Sequence, residues 1–192
     1  MPLPSQNNPI NPARVVFLDR DGVINHDSAD YIKDLNEFHL LSRSLMALKL
    51  LAEKGWSVIV VTNQSAIGRG LISLSGLDRI HTYLKKAAAD NGGGIADILF
   101  CPHLPEEDCL CRKPKPAMIR QAADKYGIDL NTAVMVGDRT TDIQCGQNAG
   151  CGRNILVRTG VGSITEKKLA KSGVLPSRVV DDLYDAVKWI VK

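Results

Sequence analysis

Hydrophobic and polar positions along the chain follow two different periods. Short apolar runs rich in β-branched residues predict buried strands, and apolar residues spaced three or four apart predict helices. The predicted strands are 13–18, 56–61, 97–100, 133–136, 154–157 and 178–180. The predicted helices are 42–54, 77–90, 117–126, 141–148 and 183–191. This alternation predicts an α/β fold, a doubly wound and mainly parallel sheet with helices on both faces.

Polar side chains follow several of the predicted strands at the point where each strand ends. In open parallel sheets, ligands bind outside the carboxyl ends of the strands. The residues concerned are Asp19 and Asp21, Thr62 to Ser65, Arg112 with Lys113, and Asp138 to Asp142. Any one of these segments could be an ordinary polar loop. Together they predict one polar site at this edge of the sheet.

The two aspartates after the first strand are separated by one residue. On an extended chain such residues point to the same face, so we expect Asp19 and Asp21 to share one spot and Arg20 to point away. An acidic strand end followed by a glycine turn would give the same pattern without any chemistry. Because two close carboxylates repel, a positive group must balance them or one must hold a proton.

The chemistry that suits this set is phosphoryl transfer. A divalent cation must neutralise a phosphate and a carboxylate nucleophile, and Asp19 and Asp138 supply the oxygen ligands that suit Mg²⁺. Lys113 and Thr62 would hold the phosphoryl oxygens. Asp21 would protonate the leaving alkoxide and then deprotonate the attacking water.

Cysteines and a histidine form a second cluster. Its members are Cys101, His103, Cys109 and Cys111. Three thiolates and one imidazole complete a tetrahedral zinc site without an open position, so a zinc ion here would be structural. A loop of reduced thiols is the alternative. Because Arg112 and Lys113 directly follow the last cysteine, a zinc loop would fix them against the predicted site.

Composition and charge restrict the class of protein. The 192 residues predict one domain at 13–192 after an N-terminal extension at 1–12. A net charge of +3 is not the basic footprint of a nucleic-acid binder. No apolar stretch is long enough to span a bilayer, and no apolar signal core is present. We therefore expect a cytoplasmic monomer that binds neither nucleic acid nor membrane.

The motifs at the strand ends resemble those of the haloacid dehalogenase superfamily of phosphatases. The matching segments, in the superfamily's order, are 19–23, 62–64, Lys113, and Gly137-Asp138 with Asp142. The resemblance implies an aspartyl-phosphate intermediate on Asp19. It also implies that Mg²⁺ is held by Asp19, the backbone carbonyl of Asp21, and Asp138.

The cysteine loop is similar to that of a zinc-containing subgroup of this superfamily. The subgroup includes heptose bisphosphate phosphatases and histidinol-phosphate phosphatases. Segments 21–25, 30–32, 62–70 and 156–160 resemble the heptose enzymes, whereas 104–108 and 137–142 also resemble the histidinol-phosphate enzymes. The heptose resemblance implies removal of the C7 phosphate of a heptose 1,7-bisphosphate in lipopolysaccharide-core biosynthesis. Histidinol phosphate is the alternative substrate.

The resemblance also implies which residues contact the substrate. They are Asp27, Tyr31, Thr62, Asn63, Gln64, Ser65, Arg112, Lys113 and Arg139. Many heptose phosphatases carry lysine where this chain has Arg139, which keeps the charge but changes the donor geometry. The spacing of the motifs leaves no room for a cap domain. A zinc-stabilised interaction module without catalysis is the alternative from another class, and the four intact motifs argue against it.

Overall fold

One sheet organises the protein, whose computed structural model describes residues 10–192. Its strands are β1 Val15–Leu18, β2 Ser57–Asn63, β3 Asp97–Cys101, β4 Val134–Gly137, β5 Arg153–Val157 and β6 Arg178–Val180. Their order is β3-β2-β1-β4-β5-β6, and every neighbouring pair is parallel. The predicted doubly wound α/β fold is confirmed. The predicted N-terminal extension lies largely outside the described residues.

Helices cover both faces of the sheet. They are α1 Ser44–Glu53, α2 Leu74–Asp90, α3 Ala117–Tyr126, α4 Thr140–Ala149, α5 Gly162–Ser172 and α6 Leu183–Ile190. Successive residues of β1 point to opposite faces, as strand geometry requires. Val16 and Leu18 pack with α1, α2 and α6, and Val15 and Phe17 pack with α3 and α4. Both faces are therefore buried, which explains why β1 is apolar throughout.

Helix α5 was not predicted from the sequence. Most of its side chains are polar, and Leu169 is its buried apolar contact with Ile143 and Leu156. One apolar contact gives no recognisable stripe at helical spacing. The remaining predicted elements are present, with bounds shifted by up to three residues.

The strand order places three strand ends side by side. β1 lies between β2 and β4, and Leu18 pairs with Val60 on one side and Val136 on the other. The chain runs outward in both directions from β1, so a crevice opens at the carboxyl ends of these strands. Within residues 10–192, the connections that follow β1 and β2 contain no cap domain, and no helix is long and apolar enough to cross a membrane.

Candidate active site and zinc loop

A cleft of about 650 Å³ lies at the carboxyl ends of β1, β2 and β4. Asp19 and Asp21 line it. So do all the residues predicted to contact substrate: Asp27, Tyr31, Thr62, Asn63, Gln64, Ser65, Arg112, Lys113 and Arg139. The parallel sheet thus brings together, at the carboxyl ends of its strands, residues that are far apart in the sequence.

Lys113 joins two carboxylates at the floor of the cleft. Its Nζ lies 2.8 Å from Asp19 Oδ1 and 2.7 Å from Asp142 Oδ1, and it donates to the Val61 carbonyl at 2.9 Å. Burial opposes the charge on Lys113, but the two carboxylates outweigh burial and hold its pKa above the usual value. Lys113 is therefore a fixed positive charge beside Asp19.

Asp138 completes an acidic cluster next to this lysine. Ligand oxygens of Asp19, Asp138 and Asp142 all lie within 4.8 Å of one another. Asp138 Oδ2 accepts a hydrogen bond from the Val161 backbone, whereas its buried Oδ1 has no hydrogen-bond partner among the described residues. A small hard cation would satisfy this orphan oxygen and balance the excess negative charge, so the residues fit Mg²⁺.

Burial raises the pKa values of two carboxyl groups in this cluster. It is the main cause that raises the pKa of Asp19 to about 7, an effect that Lys113 partly offsets. Burial and then the charge of Asp19 raise the pKa of Asp138 to about 8. One lysine thus leaves these carboxylates short of positive charge, as expected where a divalent cation belongs.

Two glycines bring the backbone close to Asp138. A Cβ atom on Gly22 or on Gly160 would collide with Asp138 Oδ2. Both residues also have positive φ angles, of 82° and 58°. Only glycine satisfies both conditions at these positions.

Asp21 does not belong to the acidic cluster of Asp19, Asp138 and Asp142, and its carboxylate pairs with Arg20. The expectation that Arg20 points away was wrong: its Nη2 lies 3.0 Å from each carboxylate oxygen of Asp21. β1 ends at Leu18, so the chain at 19–21 does not keep the alternation of a strand. Burial opposes ionisation of Asp21, but Arg20, Asn25 and Gln64 outweigh it and hold its pKa below the usual value.

The segment after β2 supports the cleft from the other side. The Thr62 hydroxyl is buried and accepts a hydrogen bond from Gln64 Nε2 at 2.8 Å. The side-chain amide of Asn63 accepts a hydrogen bond from the Lys113 backbone nitrogen and donates one to the Lys113 carbonyl. Asn63 therefore positions Lys113 in addition to lining the cleft.

An ion pair crosses the mouth of the cleft, and a cation–π contact involves Tyr31 of its lining. Arg139 forms an ion pair with Asp27 at 2.5 Å, which links the connection after β4 to the one after β1. Arg69 lies over the Tyr31 ring, 5.8 Å from its centroid. Tyr31 adopts a left-handed backbone with φ 64°. Such a conformation costs ~1–3 kcal/mol and is found mainly where the surrounding structure requires it.

The predicted zinc ligands converge on one point. Ligand atoms of Cys101, His103, Cys109 and Cys111 lie within 4.8 Å of one another. The cysteine sulfurs are 3.2–3.6 Å apart and all three are free thiols, with His103 Nδ1 3.3 Å from Cys111 Sγ. This set fits a tetrahedral zinc ion. Arg112 donates to the His103 carbonyl, so the loop is joined directly to the cleft.

Some lining residues were not anticipated. They are Arg20, Ile32, Gly160 and Val161. Gly160 and Val161 follow β5. Because ligands bind outside the carboxyl ends of parallel strands, the residues after β5 could also have been predicted to line the cleft.

Comparison with known proteins gives concordant matches. A family model described as HAD-hydrolase-like matches residues 110–186. A D-glycero-beta-D-manno-heptose-1,7-bisphosphate 7-phosphatase of Pseudomonas aeruginosa is 43% identical over 169 residues, which are 88% of this chain and 93% of that protein. The alpha-heptose counterpart of Photorhabdus laumondii is 39% identical over 157 residues, 78% of this chain and 85% of that protein.

A solved structure agrees with these relatives. The D,D-heptose 1,7-bisphosphate phosphatase of B. bronchiseptica, complexed with magnesium and phosphate, matches with a TM-score of 0.87 and 39% identity. The match covers 93% of this chain and 98% of that one. The similarity therefore extends over the whole fold described above.

Proposed function

This chain belongs to the family of D-glycero-D-manno-heptose-1,7-bisphosphate 7-phosphatases, and from that premise we propose that it removes the C7 phosphate of this sugar bisphosphate. The observation that carries the proposal is the floor of the cleft. There the carboxylate of Asp19 lies 2.8 Å from the fixed charge of Lys113 and beside the buried acidic cluster. This arrangement suits a nucleophile that must approach a phosphate.

The proposed reaction has two halves. Asp19 attacks phosphorus, the bond between phosphorus and the C7 oxygen breaks, and Asp21 protonates the leaving alkoxide. Water then attacks the phosphoryl group on Asp19, the bond between phosphorus and the Asp19 oxygen breaks to release inorganic phosphate, and Asp21 takes up the proton that the water loses. Because Asp21 rests as a carboxylate, the first half requires it to gain a proton before the alkoxide leaves.

Other residues hold the phosphoryl group in both halves. Lys113 and the Thr62 hydroxyl stabilise its oxygens. Asp19, Asp138 and the backbone carbonyl of Asp21 would hold Mg²⁺, which supplies charge neutralisation when bound. The zinc cluster would keep Arg112 and Lys113 in place without taking part in the reaction.

The cationic side chains at the rim suit the second phosphate of the substrate. Arg112 lines the cleft, and its Nη1 donates to the His103 carbonyl. The remaining N–H groups of the guanidinium can bind an anion. Arg139 lies across the mouth beside Asp27. We assign Arg112, with Arg139 and the segments around Tyr31 and Thr62, to substrate binding.

We also propose that residues 13–192 act as one catalytic domain and as a cytoplasmic monomer. Every group of the proposed site comes from one chain, and the three thiols of the zinc cluster require a reducing compartment. The substrate chemistry is that of a small phosphorylated sugar in lipopolysaccharide-core biosynthesis, with no role for nucleic acid or membrane.

A side-by-side phosphate-release assay tests the substrate. The purified protein is given both anomers of heptose 1,7-bisphosphate, fructose 1,6-bisphosphate and histidinol phosphate. We expect kcat/KM for a heptose anomer to exceed that for histidinol phosphate by at least about tenfold, because one charge-assisted contact is worth about 1.5–3 kcal/mol. Arg112→Ala should reduce this preference more than it slows a simple monophosphate. Equal or better kcat/KM for histidinol phosphate would contradict the proposal.

A further inference from the structure

Arg20 is a buried cation with a complete set of partners. It is 1% exposed, and its Nε and Nη2 donate to Asp21 at 3.0–3.1 Å. Nη2 also donates to Gln64 Oε1 at 3.1 Å, and the guanidinium lies 5.7 Å from the centroid of the Phe38 ring. A buried charge is costly unless it is paired and hydrogen-bonded, so this geometry is strongly specified.

Gln64 and Asn25 complete the frame around the Asp21 carboxylate. Gln64 Nε2 donates to Asp21 Oδ2 at 2.8 Å and to Thr62 Oγ1 at 2.8 Å. Asn25 Nδ2 donates to Asp21 Oδ1 at 2.8 Å. Both oxygens of Asp21 are thus held by donors from the connections after β1 and β2, and Arg20 donates to both of them.

His81 supports Arg20 from behind, from helix α2. Its Nε2 lies 3.2 Å from Arg20 Nη1. Because a guanidinium can only donate, Nε2 must be the acceptor and the ring proton must be on Nδ1. Burial, followed by the charge of Arg20, lowers the pKa of His81 to about 3. The imidazole is therefore a neutral acceptor, and it packs against Phe100 at a centroid distance of 5.8 Å.

We propose that His81 is a positioning residue for acid–base catalysis: through Arg20 it fixes the direction of the Asp21 carboxylate toward the leaving oxygen. The inference deepens the proposed phosphatase function and rests on it. His81 touches neither substrate nor metal in this scheme, and its effect passes through one hydrogen bond. A loss of that bond therefore affects the proton-transfer step more than it affects phosphate binding.

The leaving group separates this role from a purely structural one. A sugar alkoxide needs a proton as it departs, whereas 4-nitrophenolate departs without one. We compare kcat/KM, which covers only the steps up to departure, for heptose bisphosphate and 4-nitrophenyl phosphate. His81→Leu is expected to lower the first about 10- to 100-fold and the second less than about 3-fold, because general acid catalysis contributes about 10²–10⁴-fold.

Three variants sharpen the test. His81→Gln keeps an acceptor that can reach Arg20. It should recover most of the kcat/KM for heptose bisphosphate that His81→Leu loses. His81→Asn has a side chain too short to reach Arg20 and replaces His81→Leu if that variant fails to fold. Leu84→Ala, on the buried side of the same helix, controls for loosened packing and should affect both substrates equally.

Each result has a defined meaning. A selective loss with the sugar substrate, recovered in His81→Gln, supports the positioning role. Equal losses with both substrates in His81→Leu or His81→Asn, or no loss at all, overturn it. A parent protein that hydrolyses 4-nitrophenyl phosphate but not heptose bisphosphate contradicts the proposed function instead, and the comparison is then made with whichever alkyl phosphate the parent hydrolyses.

Discussion

Asn63 and Lys113 are fifty residues apart and are joined through both ends of one amide. Asn63 Oδ1 accepts from the Lys113 backbone nitrogen at 3.0 Å, and Asn63 Nδ2 donates to the Lys113 carbonyl at 3.3 Å. This pair of bonds fastens the chain leaving the zinc loop to the end of β2. It thereby sets where the lysine ammonium meets Asp19.

We expect Asn63→Ala to lower both stability and activity. The change leaves two partly buried backbone groups without partners, at a cost of about 1–3 kcal/mol each. Urea unfolding should show the loss, and kcat should fall because Lys113 is no longer held. Asn148→Ala, which removes a single exposed bond to the Pro114 carbonyl, is the matched control and should cost less. Equal effects in the two variants would contradict the positioning of Lys113 by Asn63.

Asp19→Asn should abolish turnover while the fold is retained. The amide is nearly isosteric with the carboxylate but cannot attack phosphorus effectively. Phosphate release and circular dichroism measure the two parts of this prediction, after mass spectrometry has excluded deamidation. Asp30→Asn, on the exposed loop after β1, serves as a control for the loss of one negative charge. Turnover within about tenfold of the parent would argue against a covalent mechanism on Asp19.

Cys109→Ser should lower the zinc content and the melting temperature together. A structural zinc ion contributes directly to folding free energy, and the serine hydroxyl is a poor ligand for it. Activity should also fall, because Arg112 and Lys113 follow the loop. Cys151→Ser changes a buried thiol outside the cluster, and it should keep its zinc. Elemental analysis of the parent after growth with added zinc decides the matter: a zinc-free parent refutes the site.

Removal of magnesium should stop the reaction reversibly. Oxygen ligands at Asp19 and Asp138 suit Mg²⁺, whereas the thiolates of the loop hold zinc more tightly, so a mild chelator separates the two metals. We expect activity to disappear in the chelator and return on addition of Mg²⁺, with zinc content unchanged. Full activity in the magnesium-stripped protein would contradict the role given to Asp138.

The buried imidazole of His81 should make stability depend on pH. The unfolded chain protonates His81 below the ordinary histidine pKa of 6.5, but the folded protein holds that pKa at about 3. The unfolded state therefore binds more protons in this window, and stability falls as the pH decreases through it. Between about pH 7.5 and about pH 5, the parent should lose about 2 kcal/mol more unfolding free energy than His81→Gln. Parallel stability curves for the two proteins would show that His81 takes up its proton equally in the folded and unfolded states.

Much of this architecture could be predicted because local signals agreed with the global fold. The helix Ala117–Tyr126 was predicted with both ends correct, since an apolar stripe ends at Gly127, which adopts a left-handed φ of 65°. The cleft followed from the rule that parallel strands present their carboxyl ends on one edge. Ligand type and close spacing together predicted a candidate zinc site, and the structure brings these four ligands together.

The two features that the sequence did not predict correctly, the direction of Arg20 and helix α5, both depend on tertiary contacts. The direction of Arg20 depends on His81 and Gln64, which come from distant parts of the chain, whereas the prediction considered only the local alternation of a strand. Helix α5 is held at Leu169 by residues of α4 and β5. Neither relationship leaves a periodic trace in the sequence.

The two glycines that enclose Asp138 determine how the proposed cation site can respond to a foreign ion. The wall on that side is main chain, and main chain cannot yield by a change of rotamer as a side chain can. A calcium ion prefers more ligands at longer distances than magnesium does. We expect the close packing of Gly22 and Gly160 on Asp138 to leave little room for these extra ligands, so calcium should compete with magnesium as an inhibitor and should not replace it as an activator.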